Sequence, residues 1–599
     1  MGRKKKEEKV INYDWSPYQK AIFKFVESGQ GHLVVEAVAG SGKTATLVKC
    51  LEYIPNDKKV LVVAFNKDIV AELEKKTKVF ENVDVRTMHS LGLAICKRNI
   101  ETINPQPSTF KYETYIRENL KQLSSINIFK LKGTERYRYI TNIKKYIDFG
   151  RCYLAQTVKD LTFIEERYGI DTIADEKEIA VEVLKWGKNS LESIDYSDMV
   201  WLPTELNLKP LGLLYDYIFV DECQDMNKAE RELIYKCFKM GTRMFSFGDS
   251  QQAIYSFSGA DIESFKELKN KSNTTSLPLS ISYRCSKNIV DFAKKLVPSI
   301  EANNDGREGI VKDKVSLDEV QDGDMIICRN NAPLIQIYNE FLKLGKKCFI
   351  RGKEIGNNLK GIVKSVNKQE LSLSCLKDGL FPRLYNDLFT QRDLLITRYG
   401  IDKKSAMESQ QIQNMLDMIN ALEVLAEGLT TADELIDRID EIFPKKDKKS
   451  GIALSTIHKA KGLEANNVYV ACKSLMPSKS AKKDWELKQE YNLMYVAYTR
   501  AKNILGFIDE KDFEKFTSGE NSSNQLNKIE TLVNSLYGKK PIYDLNNSND
   551  VKTIVERIKD VQTNISSSST INISNKNNEN KINNFSDILK KKKRKTVRL

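Results

Sequence analysis

The chain lacks several patterns that mark other classes of protein. Its ten cysteines are scattered singly, with no Cys-x-x-Cys pair, which argues against a zinc site or a disulfide framework and fits a reducing compartment. It contains no apolar run of about eighteen residues, so we expect no membrane span. The opening segment MGRKKKEEKV is charged and has no apolar h-region, so we expect no secretory signal there.

Histidine is also scarce, with three residues in 599. Two of the three stand in the same Thr-x-His frame, His89 in VRTMHSLG and His458 in LSTIHKAKGLE. A frame this short recurs by chance, so the repeat alone leaves chance open as an explanation. Its meaning depends on the motifs around it.

The charge balance is basic but uneven. The net charge of +14 and the pI of about 9.0 favour a polyanionic partner. Seven positive charges lie near the C-terminal end, at Lys590, Lys591, Lys592, Lys593, Arg594, Lys595 and Arg598. The rest of the chain is only mildly basic, so a nucleic-acid groove would depend on the local arrangement of side chains.

Short apolar segments followed by helix-like segments recur along the chain. HLVVEAVA, KVLVVAF and YDYIFVDE lie before residue 280, and DMIICRN, KKCFIRG and NNVYVACK lie after it. Continuous apolar strands that alternate with helices are typical of parallel sheets covered on both faces. We therefore expect an α/β protein with two parallel-sheet domains, in a chain long enough for about three to five domains.

Two long helix-like segments interrupt this alternation and predict helical inserts. In the second, we expect Gly428 to cap a helix C-terminus and Thr431 with Glu434 to form a capping box. The predicted organisation is a first α/β domain in 1–89 and 211–280 with its insert in 90–210, a second α/β domain in 281–354 and 451–515 with its insert in 355–450, and a tail in 516–599.

The tail is polar and of low complexity, as in NISSSSTINISNKNNENKINNFSD, so we expect much of it to be disordered. IETLVNSLYG and VKTIVERIKDV are candidates for short helices within it. The final KKKKRK has three interpretations, which are a solvated end, a nuclear-import signal and a non-specific DNA contact.

The segment AVAGSGKT, residues 37–44, has the pattern of a phosphate-binding loop. It follows an apolar strand and opens a helix, which is the context that such a loop requires. Gly40 and Gly42 allow backbone N–H groups to point at phosphate oxygens, and the helix dipole adds positive potential. Lys43 would reach the β- and γ-phosphates, and the Thr44 hydroxyl would hold Mg²⁺. Ala37 stands where the first glycine is usual.

The segment YIFVDECQD supplies two adjacent carboxylates after an apolar strand. Asp221 suits the Mg²⁺ shell and Glu222 suits the base that orients the attacking water, although acidic residues at this position also serve as helix N-caps. Arg284 and Arg500, both in the second half, are candidates for arginine fingers, and a surface ion pair is the alternative for each.

These segments, with others in the same order, resemble the UvrD/Rep group of superfamily 1 DNA helicases over residues 12–508. The matching motifs are SPYQKAI, AVAGSGKT, VAFNKDIVAEL, VRTMHSLG, FVDECQD, GDSQQAIYSFSGAD, ISYRCSKNIV, STIHKAKGLE and YVAYTRAKN. DYSDMVWLP and FIRGKEIG look more like the F-box DNA helicase branch, without an F-box segment. The resemblance implies two RecA-like domains.

The resemblance also implies nucleotide contacts. In this numbering they are Gln19, Ala39, Gly40, Ser41, Gly42, Lys43, Thr44, Ala45, Tyr283 and Glu464, with Gln252 as a γ-phosphate sensor. Gln19 would read the adenine edge, Tyr283 would stack on the base, and Glu464 would lie near the ribose. Relatives often carry an arginine where this chain has Ala45, which puts base selectivity in doubt.

Single-strand contacts follow from the same resemblance. The implied residues are Phe65, Asn66, Thr87, His89, Tyr255, Phe257, Thr456 and His458. Aromatic side chains suit this role because every base has a stackable face, although core packing is the alternative for Phe65 and Phe257. The two Thr-x-His frames would be equivalent contacts, one in each domain, with Lys461 and Gly462 between strand and nucleotide. We hypothesise that a histidine there donates a hydrogen bond without a fixed charge.

Two further departures weaken the transfer of family properties. Ser258 replaces a family arginine, which puts one contact in doubt, and the second insert is too short for duplex contacts to be carried over. The implied activity is that of an ATP- and Mg²⁺-dependent DNA helicase that translocates on single strands, 3′ to 5′ favoured, and unwinds duplexes in replication, repair or recombination. A single-strand translocase that strips bound proteins, and an NTPase unrelated to DNA, stay open as alternatives.

The expected partners are single-stranded DNA, single-strand–duplex junctions and a protein that binds the tail, with no membrane. We expect a monomer on DNA. The expected location is intracellular and DNA-associated, either a nucleus or a bacterial or viral-host cytoplasm.

Overall fold

The fold is taken from a computed structural model of the chain. It describes residues 14–65, 67–101, 108–127, 133–255, 259, 264–365, 379–399, 401–443, 450–509 and 519–537. Asn66, Phe257 and Ser258, which the sequence analysis singled out, lie outside these residues, as does the KKKKRK segment.

The strands within the described residues are short. They are β1 (His32–Ala37), β2 (Val60–Ala64), β3 (Val83–Thr87), β4 (Tyr215–Val220), β5 (Phe238–Gly248), β6 (Thr274–Leu279), β7 (Ile281–Ser282), β8 (Glu301–Ala302), β9 (Ile310–Val315), β10 (Met325–Cys328), β11 (Cys348–Ile350), β12 (Ile452–Thr456), β13 (Ala465–Ala471) and β14 (Ala501–Ile508).

The helices of the same residues fill the intervals between these strands. They are α1 (Pro17–Ser28), α2 (Lys43–Cys50), α3 (Lys67–Thr77), α4 (Met88–Asn99), α5 (Lys111–Leu123), α6 (Gly133–Tyr153), α7 (Val158–Tyr168), α8 (Glu176–Asn189), α9 (Tyr196–Glu205), α10 (Lys228–Lys236), α11 (Ser264–Asn270), α12 (Lys287–Ala293), α13 (Asn331–Lys343), α14 (Lys353–Ser365), α15 (Leu380–Tyr399), α16 (Lys403–Met407), α17 (Gln410–Leu425), α18 (Ala432–Ile442), α19 (Ile457–Ala460), α20 (Asp484–Tyr498) and α21 (Gly519–Tyr537). No helix among the described residues is long and apolar enough to cross a bilayer.

Two six-stranded sheets organise the chain, and their neighbouring strands run parallel. The first sheet has the order β3-β2-β4-β5-β1-β6, and the second has the order β11-β12-β10-β13-β14-β9. Every residue of β2 and of β10 is buried, as expected for continuous apolar strands covered by helices on both faces. The predicted α/β class with two parallel-sheet halves is confirmed. We call residues up to 280 the first half and residues 281–509 the second half.

Helices dominate the two segments that interrupt the strands. Helices α5 to α9 enclose an apolar core that includes Tyr146, Leu161 and Trp201. In the second segment, the Thr431–Glu434 capping box starts α18. Gly428 has a positive φ of 76°, but it lies two residues beyond Ala426, which is the C-cap of α17. The exact domain boundaries given above remain our proposal.

The predicted tail contains a helix that is longer than expected. Helix α21 lies in 516–599 and buries Ile529 and Val533. The Glu530 carboxylate accepts hydrogen bonds from both terminal nitrogens of Arg392, at 2.8 and 2.7 Å. The candidate helix IETLVNSLYG is thereby confirmed over Ile529–Tyr537, where Ile529 and Val533 are four residues apart and share the buried face. The expectation of disorder was wrong for the polar residues with which α21 begins.

Contacts divide the chain into two compact units. One contains residues 1–392 and 403–538, and the other contains residues 393–402 and 539–599. In the described part of the second unit, the Thr397 hydroxyl donates to the Asp393 carbonyl oxygen at 2.8 Å within α15.

A shared apolar core joins the two halves. Val38, Ala39 and Ile254 of the first half pack in one cluster with Cys285 and Tyr495 of the second half. The loop after β1 and the loop after β5 therefore contact the second half directly, and this arrangement positions the site described next.

Candidate nucleotide site and nucleic-acid interface

The loop between β1 and α2 has the conformation of a phosphate-binding loop. Gly40 and Gly42 have positive φ angles of 72° and 80°, which glycine adopts without the steric cost of a Cβ atom. Gly42 is the N-cap of α2, and Lys43 is the first helical residue. The N-terminus of α2 thus faces the loop and adds positive potential for an anion.

The predicted Lys43, Thr44, Asp221 and Glu222 cluster forms at the carboxyl ends of β1 and β4. Lys43 Nζ lies 3.4 Å from Glu222 Oε1, and the Thr44 hydroxyl donates to Asp221 Oδ2 at 3.3 Å. Glu222 has a positive φ of 54°, an uncommon conformation for a residue other than glycine.

The two carboxylates have opposite pKa shifts. Burial and the charge of Glu222 raise the pKa of Asp221. Burial acts to raise the pKa of Glu222 as well, but the charges of Lys43 and Lys461 outweigh it and lower that pKa. Glu222 is therefore the more firmly ionised member, and it holds the negative charge beside Lys43.

Two oxygen ligands suited to Mg²⁺ adjoin each other, the Thr44 hydroxyl and the Asp221 carboxylate. In the same loop, the buried Ser41 hydroxyl has no hydrogen-bond partner among the described residues. Hydroxyl and carboxylate oxygens are the ligands that Mg²⁺ prefers. The residues present fit this ion.

Both predicted arginines approach the loop from the second half. Arg500 is buried and donates from Nη2 to Gln252 Oε1 at 3.2 Å. Burial, followed by the charge of Arg284, lowers the pKa of Arg500 to about 10, so it stays charged at neutral pH. Arg284 lies against the loop, since a Cβ atom on Gly40 would come within 2.5 Å of Arg284 Cβ. Arg500 is too buried for a surface ion pair, whereas Arg284 does pair with the partly exposed carboxylate of Glu464.

Glu464 is held between two cations. Arg284 Nε donates to Glu464 Oε2 at 2.6 Å, and Lys502 Nζ lies 2.6 Å from Glu464 Oε1. Together with Tyr283 these residues line a cavity of about 390 Å³. Tyr283 is 43% exposed, and its backbone N–H donates to the Gly40 carbonyl oxygen at 2.9 Å.

Gln19 lies beside the loop with its amide engaged. Its Oε1 accepts from the Ser16 backbone N–H at 3.0 Å, and its Nε2 donates to the Thr46 hydroxyl at 2.9 Å. A Cβ atom on Gly42 would lie 3.7 Å from this Nε2. Ala45 follows in the first turn of α2. Reading of adenine by Gln19 remains a prediction.

Lys461 connects the acidic segment after β4 to Tyr255, one of the predicted single-strand contacts. Its Nζ lies 2.8 and 2.6 Å from the two oxygens of Asp225 and donates to the Gln252 carbonyl oxygen at 2.7 Å. The same Nζ lies 4.8 Å from the centre of the Tyr255 ring. Burial raises the pKa of Asp225 to about 6, against the opposing charge of Lys461.

An aromatic pair, with one exposed and one partly buried ring, lies next to this lysine. The rings of Phe65 and Tyr255 stack with centroids 6.0 Å apart and planes 8° apart. Phe65 is 47% exposed, so core packing does not explain it. The Tyr255 hydroxyl donates to the His458 carbonyl oxygen at 3.1 Å.

The two Thr-x-His frames have the same local structure. Each threonine ends a strand and caps the next helix, with Thr87 accepting from the Ser90 N–H at 3.1 Å and Thr456 accepting from the Lys459 N–H at 3.4 Å. Both threonine hydroxyls therefore already serve as helix caps. His89 and His458 each occupy the second position of the helix and are partly exposed.

Both histidines are held neutral. Burial, with the charges of Arg329 and Lys461, lowers the pKa of His458 to about 3. Burial and the charge of Lys67 also lower the pKa of His89. A neutral imidazole would therefore be able to donate a hydrogen bond to a nucleic-acid strand without adding a positive charge.

Sequence reasoning missed several residues at this site. Tyr196 is 49% exposed and packs edge-on against His89, with ring centroids 6.1 Å apart. Gln224 donates to Glu222 at 2.6 Å, and the Tyr495 hydroxyl accepts from the Ala39 N–H at 2.9 Å. All three lie in segments quoted for the resemblance, but their contacts depend on distant parts of the chain.

Comparison with known proteins adds independent support. The N-terminal domain of UvrD/REP helicases matches residues 18–273, and the UvrD-like helicase C-terminal domain matches residues 352–512. F-box DNA helicase protein 1 of Schizosaccharomyces pombe is 27% identical over 543 residues, which cover 82% of this chain and 58% of that protein. This chain therefore spans little more than half the length of that relative.

Bacterial relatives match over most of their length. ATP-dependent DNA helicase PcrA of Staphylococcus epidermidis is 25% identical over 652 residues, covering 86% of this chain and 87% of the relative. PcrA of Staphylococcus aureus is 22% identical over 609 residues, covering 80% and 81%. With the two matched domains and the loop geometry above, these similarities lead to one conclusion: the chain belongs to the UvrD/Rep-like family of superfamily 1 helicases.

Proposed function

We propose that this protein is an ATP-dependent DNA helicase that translocates on single-stranded DNA and unwinds duplexes. The contact set of Lys461 is the observation that supports this most. One side chain from the second half contacts the acidic segment of the nucleotide site, the carbonyl of Gln252 and the face of Tyr255. Binding or hydrolysis of the nucleotide could therefore shift Lys461, and with it the Tyr255 ring on which a base would stack.

ATP would bind between the halves. Lys43 would move from Glu222 to the phosphates, Glu222 would orient the attacking water, and Gln252 with Arg284 and Arg500 would surround the γ-phosphate. Mg²⁺, when bound by Thr44 and Asp221, would neutralise charge that develops on the phosphate oxygens. Because both arginines belong to the second half, hydrolysis would depend on how the halves meet.

A single DNA strand would cross the aromatic side of the same cleft. Phe65 and Tyr255 would stack on bases, and neutral His89 and His458 would donate hydrogen bonds. Tyr196, which packs against His89, would extend the contact made by His89 onto the helical insert. Asn66 and Phe257 retain the roles that the resemblance implies, and the capping of Thr87 and Thr456 makes their contribution one of position.

The direction of movement, 3′ to 5′, rests on the resemblance of TIHKAKGLE and GDSQQAIYSFSGA to the corresponding family motifs. A role in replication, repair or recombination rests on the same ground. We also propose that the protein acts at single-strand–duplex junctions inside the cell as a monomer, and that the tail binds a protein partner.

The test is unwinding of a short duplex that carries either a 3′ or a 5′ single-stranded tail, with ATP and Mg²⁺. Lys43→Ala serves as the control because it removes the phosphate-binding cation. We expect strand separation from the 3′-tailed substrate alone and none by the variant.

Other outcomes discriminate among the alternatives. Separation from the 5′ tail would overturn the direction and keep the motor. If neither duplex opened while single strands still stimulated ATP hydrolysis and bound proteins were displaced, the protein would be a translocase that strips proteins. Absence of any stimulation by DNA would overturn the proposed function.

A further inference from the structure

One face of α20 holds the loop that follows β5 in the first half. Gln489, Asn492 and Tyr495 lie at intervals of three residues, so their side chains share a face of the helix. Asn492 Nδ2 donates to the carbonyl oxygens of Ser250 and Ala253, at 3.2 and 3.0 Å. Gln489 Nε2 donates to the Ile254 carbonyl oxygen at 2.9 Å, and Tyr495 accepts from the phosphate-binding loop.

The held carbonyls flank the two functional side chains of this loop. Gln252 lies between Ser250 and Ala253, and Tyr255 directly follows Ile254. Gln252 also accepts from Arg500, whereas Tyr255 stacks on the exposed Phe65. The same few residues of backbone therefore carry the proposed nucleotide sensor and a proposed base contact.

The amide of Asn492 is well suited to fix this backbone. It is 4% exposed, and both N–H groups of its Nδ2 atom are used on carbonyl oxygens. Movement of the loop away from α20 would leave buried donors and acceptors unpaired, which is unfavourable. The loop is thus hydrogen-bonded to a helix of the second half, although its own residues, 250–255, are part of the first half.

We propose that Asn492 and Gln489 are positioning residues that make residues 250–255 move with the second half, and so set the number of nucleotides travelled for each ATP hydrolysed. This inference rests on the proposed function. Without the two amides, ATP binding would still bring the arginines to Gln252, but Tyr255 would follow that movement less faithfully.

The experiment measures translocation rate and ATP hydrolysis rate on the same single-stranded DNA, with the full chain. Asn492→Ala removes both hydrogen bonds, Asn492→Asp keeps the shape but replaces the donors with acceptors, and Gln489→Ala removes one bond at a partly exposed position. Asn189→Ala is the matched control, because its Nδ2 donates at 3.0 Å to the Lys185 carbonyl within α8.

We expect the ratio of nucleotides travelled per ATP to fall at least about twofold in both Asn492 variants and less in Gln489→Ala, as for other residues that transmit coupling. The KM for ATP and the DNA-free hydrolysis rate should change less than this ratio. Asn492→Gln, which retains the donors, should recover part of it. Asn189→Ala should keep the wild-type ratio.

A wild-type ratio in Asn492→Ala and Asn492→Asp would overturn the inference, even if both rates fell together, because equal losses indicate a merely structural role. The wild-type protein separates the two proposals. If it translocates and the variants keep its ratio, only the inference fails, whereas a wild-type protein that does not move on DNA contradicts the proposed function itself.

Discussion

The two Thr-x-His frames are alike in local structure and different in surroundings. In both, a threonine ends a parallel strand and caps the helix that carries the histidine. Helix α4 of the first frame has 12 residues and leads into the helical insert, whereas α19 of the second has four. The first histidine packs beside exposed Tyr196, and the second has its carbonyl bound by Tyr255.

This difference indicates a division of labour. His89 packs beside the Tyr196 ring and feels the charge of exposed Lys67, which is consistent with the proposed contact with DNA. The surroundings of His458 include Lys461, which reaches the acidic segment of the nucleotide site. A short sequence frame therefore fixes a helix cap, while its neighbours decide whether that cap adjoins the acidic segment of the candidate nucleotide site.

The largest effect is expected when the contact between Lys461, which follows the second frame, and Asp225 of the candidate nucleotide site is removed. Lys461→Ala leaves the buried Asp225 without its cation, and removal of one partner from a buried pair costs about 3–5 kcal/mol. We expect DNA-stimulated ATP hydrolysis to fall at least about a hundredfold. Steady-state hydrolysis at saturating single-stranded DNA measures this.

The first frame provides the matched control. Lys67→Ala removes the lysine whose charge acts on His89, and it should leave DNA-free hydrolysis unchanged. Thermal unfolding of Lys461→Ala distinguishes loss of coupling from loss of folding, and the Asp225→Asn, Lys461→Met double variant should recover stability. Equal losses of stimulation in Lys461→Ala and Lys67→Ala would show that the frames do not differ in this respect.

Removal of an aromatic ring near each frame should produce the next largest effect, with Phe65 next to the second frame's partner Tyr255 and Tyr196 next to His89. Stacking on a base contributes about 1–3 kcal/mol, so Phe65→Ala and Tyr196→Ala should each weaken single-strand binding by roughly fivefold to a hundredfold. Fluorescence anisotropy with a labelled oligonucleotide measures the Kd. Phe65→Ala should also reduce maximal stimulation of hydrolysis, since Phe65 stacks on Tyr255, whereas Tyr196→Ala should not.

Conservative changes sharpen this test. Phe65→Tyr and Tyr196→Phe retain the rings and should bind nearly as the wild type does. Unchanged affinity in both alanine variants would remove the aromatic surface from the account.

The histidines themselves should have smaller effects. A neutral hydrogen bond contributes about 0.5–1.5 kcal/mol, so His458→Ala and His89→Ala should each weaken single-strand binding by about twofold to tenfold. Translocation should slow more in His458→Ala, because that frame adjoins Lys461. Intact DNA-stimulated hydrolysis and translocation in His458→Ala would refute the hypothesis that this imidazole grips the strand.

The last prediction concerns pH and stability. The pKa of His458 is about 3 in the folded protein against an ordinary value near 6.5, so between these values the unfolded chain binds the extra proton. This group therefore destabilises the fold as pH decreases below about 6.5. In His458→Asn this contribution is absent, so Tm of the variant relative to wild type should rise from pH 7 to pH 5. A constant difference would mean that His458 titrates normally.

The parts of the fold that were predictable depended on local pattern. The all-apolar β2 and β10 and the glycines of the phosphate-binding loop were recognisable, because burial on both faces and a positive φ each select particular residues. The strand β9 (IVKDKV) was not, since it lies at the edge of its sheet and is half polar. The C-terminal part of α21 was recognisable from IETLVNSLYG, whereas its polar first turns were not.

The candidate site shows the same limit. The motifs AVAGSGKT and FVDECQD predicted the roles of Lys43 and Glu222, and the two side chains meet because parallel strands bring their carboxyl ends to one edge of a sheet. Contacts between the halves, such as Asn492 with Ser250, had no local signal. An asparagine in a helix is ordinary in sequence, and only the packing of α20 on the first half gives it two carbonyl partners.

The most direct test of the central claim is steady-state ATP hydrolysis by the wild-type protein, titrated with a single-stranded oligodeoxynucleotide and, in parallel, with a blunt duplex. If Lys461 joins the nucleotide to the strand, single strands should raise the rate at least about fivefold, the usual scale of coupling between two sites, and the blunt duplex should raise it less. Lys43→Ala should abolish both rates. Hydrolysis that is equally fast with and without single strands would contradict the account.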